Sequence, residues 1–433
     1  MSTKTNFYGW KLVGVLWSLD FLNMGSVYYA GAIINTYMLK EIPMHRSTYG
    51  WGFTLLNWFV GLPSMLVAAS IVRWGLRRTF GIGSALIFVG ALWLAFVTTR
   101  PWQYLLGFGV VAGSGISFGT IVPVATAVTR WFRRYRGRTM AVTLSASGFA
   151  GFFVAPLINR VLTANRGNWR QAWELVAAVA ILSAAIASLF VKERPEDLGQ
   201  SVDGEAEEAA RQKVAVSDSL VTKYRWTPGQ AFGTAAYWLI VFGGIACQFP
   251  FFFFVAHWVL HLKWAGVSAA DAAWAMGLFS LGAVAGRLIG GGLMDWMSTR
   301  AAFMSGFCCY LVGSVLALSV NTSQLWIAYA AGILYGTGFG WTFICMNTAN
   351  AHFFGPQAFP KLNGMAMLIT AGVCAPAGVI GGRLFDVYGN YRLAFQLNML
   401  IAAAGIVALF FAKMPVPPEK SRAAFLSEIK QES

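Results

Sequence analysis

Arg287 stands inside the apolar stretch Ala272–Leu293, and it is the one Lys or Arg of this chain that lies too deep to reach a membrane surface. A cation in hydrocarbon is costly unless it faces a cavity or finds a partner, so such a residue marks a site by default. Its chemistry is that of an anion anchor: the planar guanidinium holds a carboxylate through two parallel charge-assisted hydrogen bonds. Arg287 precedes Asp295 by eight residues, which on a helix puts it roughly 12 Å inside.

Asp20 is the acidic counterpart. It is the only acidic residue in segment 9–38, and about nine residues of helix, roughly 14 Å, separate it from Lys11. Its depth therefore resembles that of Arg287. Desolvation disfavours the charged carboxylate while a nearby guanidinium favours it, so its protonation would follow whether substrate occupies the arginine. That makes Asp20 a candidate proton carrier; the structural alternative is a carboxylate bonded within the helix packing, to backbone or to Asn23. His257, with His261 one turn later, follows the run Gln248–Phe254 and is a second protonation candidate, because histidine titrates where a proton motive force operates. A packing role is the commoner one for such a histidine. The His257/His261 spacing has no third ligand, so no metal is expected.

Other residues could shape a cavity, which typically sets a few oriented polar groups within apolar walls. Asn23, Tyr28, Tyr29, Asn57, Ser114, Ser117, Tyr335, Phe339, Phe343 and Asn347 are the candidates. Taken singly, ordinary helix packing is the usual role of each. No enzyme constellation appears: there is no Walker loop, no G-x-S-x-G elbow and no zinc spacing. No cofactor is expected. The cysteines, Cys247, Cys308, Cys309, Cys345 and Cys374, all fall in apolar segments and read as packing residues.

The elements that must position these groups follow from composition. The 433 residues are 57% hydrophobic and 11% charged, with a mean hydropathy of +0.59, whereas soluble domains carry about 25% charged residues. Apolar segments long enough to cross a bilayer recur at 9–38, 47–72, 79–98, 103–129, 138–162, 171–191, 235–262, 272–294, 301–320, 324–350, 362–385 and 391–412. The expected fold class is thus an all-α membrane protein of twelve transmembrane helices. The first segment lacks a compact cleavable leader pattern and should stay as a helix.

A formal charge of +15 could suggest nucleic acid, but its distribution argues against that partner. With a cytoplasmic N-terminus, most Lys and Arg fall on the cytoplasmic side, including the cluster Arg130, Arg133, Arg134, Arg136 and Arg138. That is the positive-inside pattern, and it places both termini in the cytoplasm. Short loops and lean tails suit a bacterial inner membrane, and the expected assembly is a monomer.

One polar stretch, 192–230, interrupts the rhythm. It divides the chain into a six-helix domain 1–191, a cytoplasmic linker 192–230, a second six-helix domain 231–412 and a cytoplasmic tail 413–433. The two halves echo each other: Gly113, Gly115 and Gly119 return as Gly336, Gly338 and Gly340, Trp131-Phe132 as Phe353-Phe354, and Pro156 with Arg160 as Pro376 with Arg383. A duplicated unit with a site near the midplane between halves is an architecture of secondary transporters.

On these residues the chain resembles the major facilitator superfamily. Gly291, Leu293, Asp295 and Arg300 are similar to that family's G-x-L-x-D-x-x-x-x-R gating motif; the first-half copy keeps Gly75, Arg77 and Arg78 but has Val72 for the aspartate. One half of that interdomain latch is therefore expected to be built differently. Tyr8-Gly9-Trp10, and the stretch from Trp131 through Arg138 to Gly148, resemble signatures of the monocarboxylate transporter family. The resemblance implies a substrate carboxylate on Arg287 and walls from Tyr28, Tyr29, Phe339 and Phe343. Two departures matter: where that family's eukaryotic members carry a helix 8 aspartate and a helix 1 lysine, this chain has Ala283 and Ile33. Asp20 is the expected replacement as proton carrier. The related oxalate–formate exchangers match Arg287 but add a lysine where this chain has Thr370, so a monoanion suits it better than a dianion.

The expectation is then a secondary transporter moving a small or larger organic monocarboxylate with a proton by alternating access. Carboxylate exchange is the transport alternative. A non-transporting carboxylate sensor is the alternative of another class, although linker and tail contain no recognisable signalling domain.

Overall fold

The computed structural model describes residues 7–132, 135–204, 224, 226–294 and 296–416, and among them every regular element is a helix. Helix α1 (Tyr8–Met24) runs through a π-helical turn, Gly25–Tyr29, straight into α2 (Ala30–Glu41). Next come α3 (Arg46–Gly61) and α4 (Ser64–Leu92), with a sharp turn inside α4 at Gly75, where φ is 85°. Only a residue without a Cβ takes that backbone freely. The short α5 (Pro101–Tyr104) lies between π-helical stretches Trp93–Val97 and Leu105–Ala112, and α6 (Gly113–Gly119) and α7 (Ile121–Trp131) continue the path. Helices α8 (Arg136–Ala164) and α9 (Trp169–Phe190) complete the first half.

The second half holds α10 (Pro228–Phe232), α11 (Ala235–Trp264), α12 (Ala269–Leu293), α13 (Thr299–Leu318), α14 (Leu325–Cys374), α15 (Ala377–Tyr388) and α16 (Arg392–Phe411). Helix α14 turns at Gly355, where φ is 76°. Side-chain caps set several starts: Asn168 accepts the N–H groups of Arg170 and Gln171, and Ser268 accepts that of Asp271. Such caps satisfy amides that have no partner within the helix.

By length and hydropathy, ten helices of the described residues can cross a membrane, against the twelve expected. Tyr8–Glu41 is helical throughout but carries Lys11, Asp20, Asn23, Asn35, Lys40 and Glu41, and α3 has only 16 residues before the interruption at Leu62–Pro63. Polar content and a break, rather than loss of helix, separate the two counts.

Packing is tightest where glycines remove side chains. Along α12 and α14, a Cβ on Gly282, Gly286, Gly336 or Gly340 would run into the facing backbone, so the two helices approach backbone to backbone. Lipid tails are as apolar as leucine, so close van der Waals packing of this kind, more than hydrophobic burial, drives helix association in a bilayer. Between halves, α8 lies along α12 and α3 lies along α15; among the described residues no comparable packing joins α7 to α14. The halves therefore meet around the centre and at the end bearing Arg46 and Asp386, away from the linker.

Candidate functional site

Asp20 reaches the interior from α1 and is 1% exposed, and neither carboxylate oxygen has a hydrogen-bond partner. The groups acting on it at longer range are the Arg287 guanidinium and the Ser147 backbone N–H of α8. Arg287 comes from α12 in the opposite half. Its Nη1 donates to the Leu144 carbonyl of α8 at 3.1 Å, its buried Nε has no acceptor, and its Cζ lies 5.9 Å from the ring centre of Phe343. Tyr29, Asp20 and Cys247 are the groups that act electrostatically on it. A guanidinium with an idle donor and a carboxylate with idle acceptors, in one low-dielectric interior and without a direct ion pair, are held only by surrounding structure.

The π-helical turn explains how Tyr28 and Tyr29 arrive here. One extra residue per turn re-aims successive side chains, a device found at functional positions. Tyr28 donates to Asn57 Oδ1 at 3.3 Å and stacks on Phe251 with centroids 6.3 Å apart, while Tyr29 lies beside Ser280 and Arg287. Gly151 leaves that space open, since a Cβ there would strike Ser280 Oγ and the Tyr29 ring. Phe339 and Phe343 of α14 sit 5.4 Å apart, with Phe339 stacked on Phe251 at 3.8 Å. Arg287, Asp20, Tyr28, Tyr29, Phe339 and Phe343 thus form one cluster spanning both halves.

The remaining expected residues fall elsewhere or have other work. Asn23 donates to Gly119 O and accepts from Ser183, so its amide is engaged between α1, α6 and α9. Tyr335 is fully buried, stacked on Phe254 at 4.2 Å and bonded to Ser314. Asn347 donates back to Phe343 O one turn earlier. Ser114 is half-buried on α6, and the buried Ser117 hydroxyl has no partner.

His257 belongs to the contact at the Arg46 end. Its Nε2 lies 2.6 Å from the Gly378 carbonyl, which can only accept, so Nε2 carries the proton and Nδ1 accepts from Tyr391 Oη at 3.1 Å. The charges acting on it are Arg46 and Asp386, not Asp20 or Arg287. His261 likewise bonds the Ala317 carbonyl at 2.9 Å. Two features close this end. A Cβ on Gly50 would strike Gly378, and the Asp386 carboxylate accepts the N–H groups of Arg46 and Ser47, each at 2.9 Å. A carboxylate on a helix N-terminus pairs with amides left free there and with the helix dipole.

At the Gly75 turn, Glu193 supplies the carboxylate that Val72 does not. It accepts from Leu76 N at 2.8 Å and Arg77 N at 3.0 Å and pairs with Arg130 at 3.1 Å. Arg77 donates from Nε and Nη2 to Val191 O, and Arg78 is exposed. In the second half, Gly291 has open space around it and Arg300 donates to Phe410 O, while Asp295 lies outside the described residues, as do Arg133, Arg134 and the tail beyond Val416. Phe251, Ser280, Leu144 and Glu193 were not singled out from sequence. A phenylalanine after an in-helix proline and an acid one residue past Lys192 were the available signals.

A family model described as Major Facilitator Superfamily matches residues 16–375 and 265–430. An uncharacterized transporter of Saccharomyces cerevisiae, ESBP6, is 29% identical over 189 residues, 43% of this chain and 28% of that protein. Monocarboxylate transporter 13 of Bos taurus is 26% identical over 356 residues, covering 78% of this chain and 75% of that one. The chain thus spans little over a quarter of the first relative and three quarters of the second. Among solved structures, a bacterial homolog of the human lysosomal transporter Spinster, inward-facing and occupied, superposes with a TM-score of 0.70 at 13% identity, over 94% of this chain and 97% of that one. At that identity the likeness carries the fold alone.

Proposed function

The chain belongs to the Major Facilitator Superfamily, and from that premise we propose that it carries a monocarboxylate across the membrane together with a proton. One observation bears most of the weight: opposite halves send Asp20, fully buried, and Arg287, with a buried Nε, into the interior, each with hydrogen-bonding atoms left idle. A carboxylate arriving at Arg287 takes the idle Nε–H and displaces the weaker claim of the Leu144 carbonyl. It also answers the Arg287 charge that acts on Asp20, and the proton loads onto Asp20 at that step. The loaded site is then neutral, and a neutral site lets the halves rock past the bilayer centre at lower cost than a charged one. One proton with one monoanion makes the cycle electroneutral.

Several features accord with this reading. Monocarboxylate transporter 13 matches most of the chain, and one arginine deep in the apolar segments suits a monoanion. The domain boundaries 1–191, 192–230, 231–412 and 413–433, twelve crossings, a monomeric unit, cytoplasmic termini and a bacterial inner membrane complete the proposal. The reading of exchange rests on the same arginine and differs only in leaving Asp20 without a proton to carry.

The test is uptake of radiolabelled monocarboxylates into proteoliposomes under an inward proton gradient, for wild type, Arg287→Lys and Asp20→Asn. Accumulation driven by the gradient and lost in both variants supports symport. Flux that ignores the gradient and needs internal carboxylate would replace symport by exchange, and an absence of flux with retained binding would leave a sensor.

A further inference from the structure

We propose that Phe251 sets the length of acid this chain accepts. The inference rests on the carboxylate reading of Arg287. Phe251 belongs to the run Phe251–Phe254 of α11, whose members do different work. Phe253 and Phe254 are core residues at 2% and 0% exposure, whereas Phe251 and Phe252 are only partly buried. Phe251 is the member that bridges the halves. It stacks on Phe339 of α14 at 3.8 Å and lies parallel to Tyr28 of the first half, 6.3 Å away at an interplanar angle of 10°. Phe279 of α12 closes a third side at 5.9 Å.

The ring is fixed in place by its surroundings. Pro250 has no N–H, so the Ala246 carbonyl loses its partner in the α11 ladder and the helix can bend there. One residue on, Tyr310 Oη donates to the Cys247 carbonyl at 2.8 Å, holding the turn that carries Phe251. Phe251 is a positioning surface for the tail and takes no part in holding the charge.

Distance to the anchor decides the tail length. Cys247 and Phe251 lie four residues apart on the same face of α11, about 6 Å along its axis. From the other side, rings lead from Arg287 to Phe343 at 5.9 Å, Phe339 at 5.4 Å and Phe251 at 3.8 Å. The tail of an acid held on Arg287 therefore runs along the Phe343 and Phe339 rings toward Phe251. A longer or phenyl-bearing tail would need the ring to leave the space between Tyr28 and Phe339.

Equilibrium binding of linear monocarboxylates from acetate to octanoate, with phenylacetate, to the purified full chain in nanodiscs tests this. Wild type should gain about fourfold in affinity for each methylene up to the ring, as expected for its burial, and lose affinity beyond it. Phe251→Ala should move the optimum to longer acids and tighten phenylacetate by about tenfold, through the apolar area newly available. Phe251→Trp should move it to shorter ones. Phe251→Leu, close in volume, guards against a folding defect and should leave the optimum near that of wild type. An unchanged optimum in the Ala and Trp variants, or a uniform loss along the series, overturns the inference. Arg287→Gln run on the same series keeps the two readings apart: affinity that ignores Arg287 sinks the carboxylate anchor, whereas affinity that needs Arg287 but ignores Phe251 sinks only the tail gate.

Discussion

Arg287 Nη1 donates to the Leu144 carbonyl at 3.1 Å, so the deepest cation of one half is tied to a neutral backbone oxygen of the other. A neutral acceptor leaves most of the positive charge unanswered, and it can be displaced by a carboxylate, which brings a full opposite charge and can take two parallel hydrogen bonds. The contact also lies on the seam between α8 and α12. A ligand that takes the guanidinium from Leu144 therefore loosens one tie between halves at the moment it loads the site.

Arg287→Lys should lower substrate affinity by roughly a hundredfold while leaving the melting temperature within a few degrees of wild type. Lysine keeps the charge but loses the planar fork and the reach of three nitrogens. Binding isotherms and thermal melts on the same preparation check this; an unchanged isotherm would remove Arg287 from the site.

Asp20→Asn should separate carboxylate flux from the proton. The amide is close in shape and cannot take up a proton, so counterflow between equal pools should persist while accumulation under a proton gradient disappears. In wild type, uptake should rise as external pH falls, since protonation accompanies loading, and in the variant it should be flat over the same range. A variant that still accumulates substrate would show that the proton travels elsewhere.

His257→Gln should leave coupling intact and reduce stability. Both imidazole nitrogens are occupied in the packed contact with Gly378 and Tyr391, and unmaking buried hydrogen bonds costs about 1–3 kcal/mol. A lower melting temperature with an unaltered pH dependence of uptake is the expected outcome. A shifted pH dependence would return His257 to the proton path.

Arg287 and Asp20 were legible in the sequence because a charge in an apolar segment is conspicuous whatever surrounds it. Phe339, Phe343, Tyr28 and Tyr29 came from resemblance and do gather near Arg287, yet nothing in composition separates Phe251 from the three phenylalanines after it. Which ring faces the seam depends on the helix phase after Pro250, and that is a property of the folded bundle. The π-helical turn at Gly25–Tyr29 has the same character, since one inserted residue changes direction without changing hydropathy. Asn23 and His257 attract notice as polar groups in apolar segments, but their partners are carbonyls and hydroxyls from helices far along the chain. Glu193 was hidden by its neighbours, a charged run that reads as solvated linker, although it caps a turn more than a hundred residues earlier.

Glu193→Gln should destabilise the first half and leave substrate affinity alone. The carboxylate holds Leu76 N and Arg77 N at the forced Gly75 turn and pairs with Arg130. The amide keeps one acceptor and loses the charge, at a cost of about 1–2 kcal/mol, the scale of a charge-assisted cap. The Arg130 pair adds little, being partly exposed and screened. A lower melting temperature with unchanged binding is expected, and Val72→Asp in that background should restore part of the loss if the turn accepts a carboxylate from either side.

Asp386→Ala should unlatch the end of the molecule away from the linker. The carboxylate on α15 holds the first two free amides of α3, and Gly50 and Gly378 bring the same helices into backbone contact. This clasp joins the two halves, so any state open at that end must break it. Its loss removes hydrogen bonds from the closed state alone, each worth about 1.5–3 kcal/mol when one partner is charged, and so shifts the population toward the open state by roughly tenfold or more. Thr48→Cys, one residue past the clasp, should react faster with a membrane-impermeant reagent in the Asp386→Ala background, whereas Asp386→Asn, which keeps an acceptor oxygen, should fall between. Equal labelling rates in all three would mean that glycine packing alone holds the end shut, and Gly378→Leu would then be needed to open it.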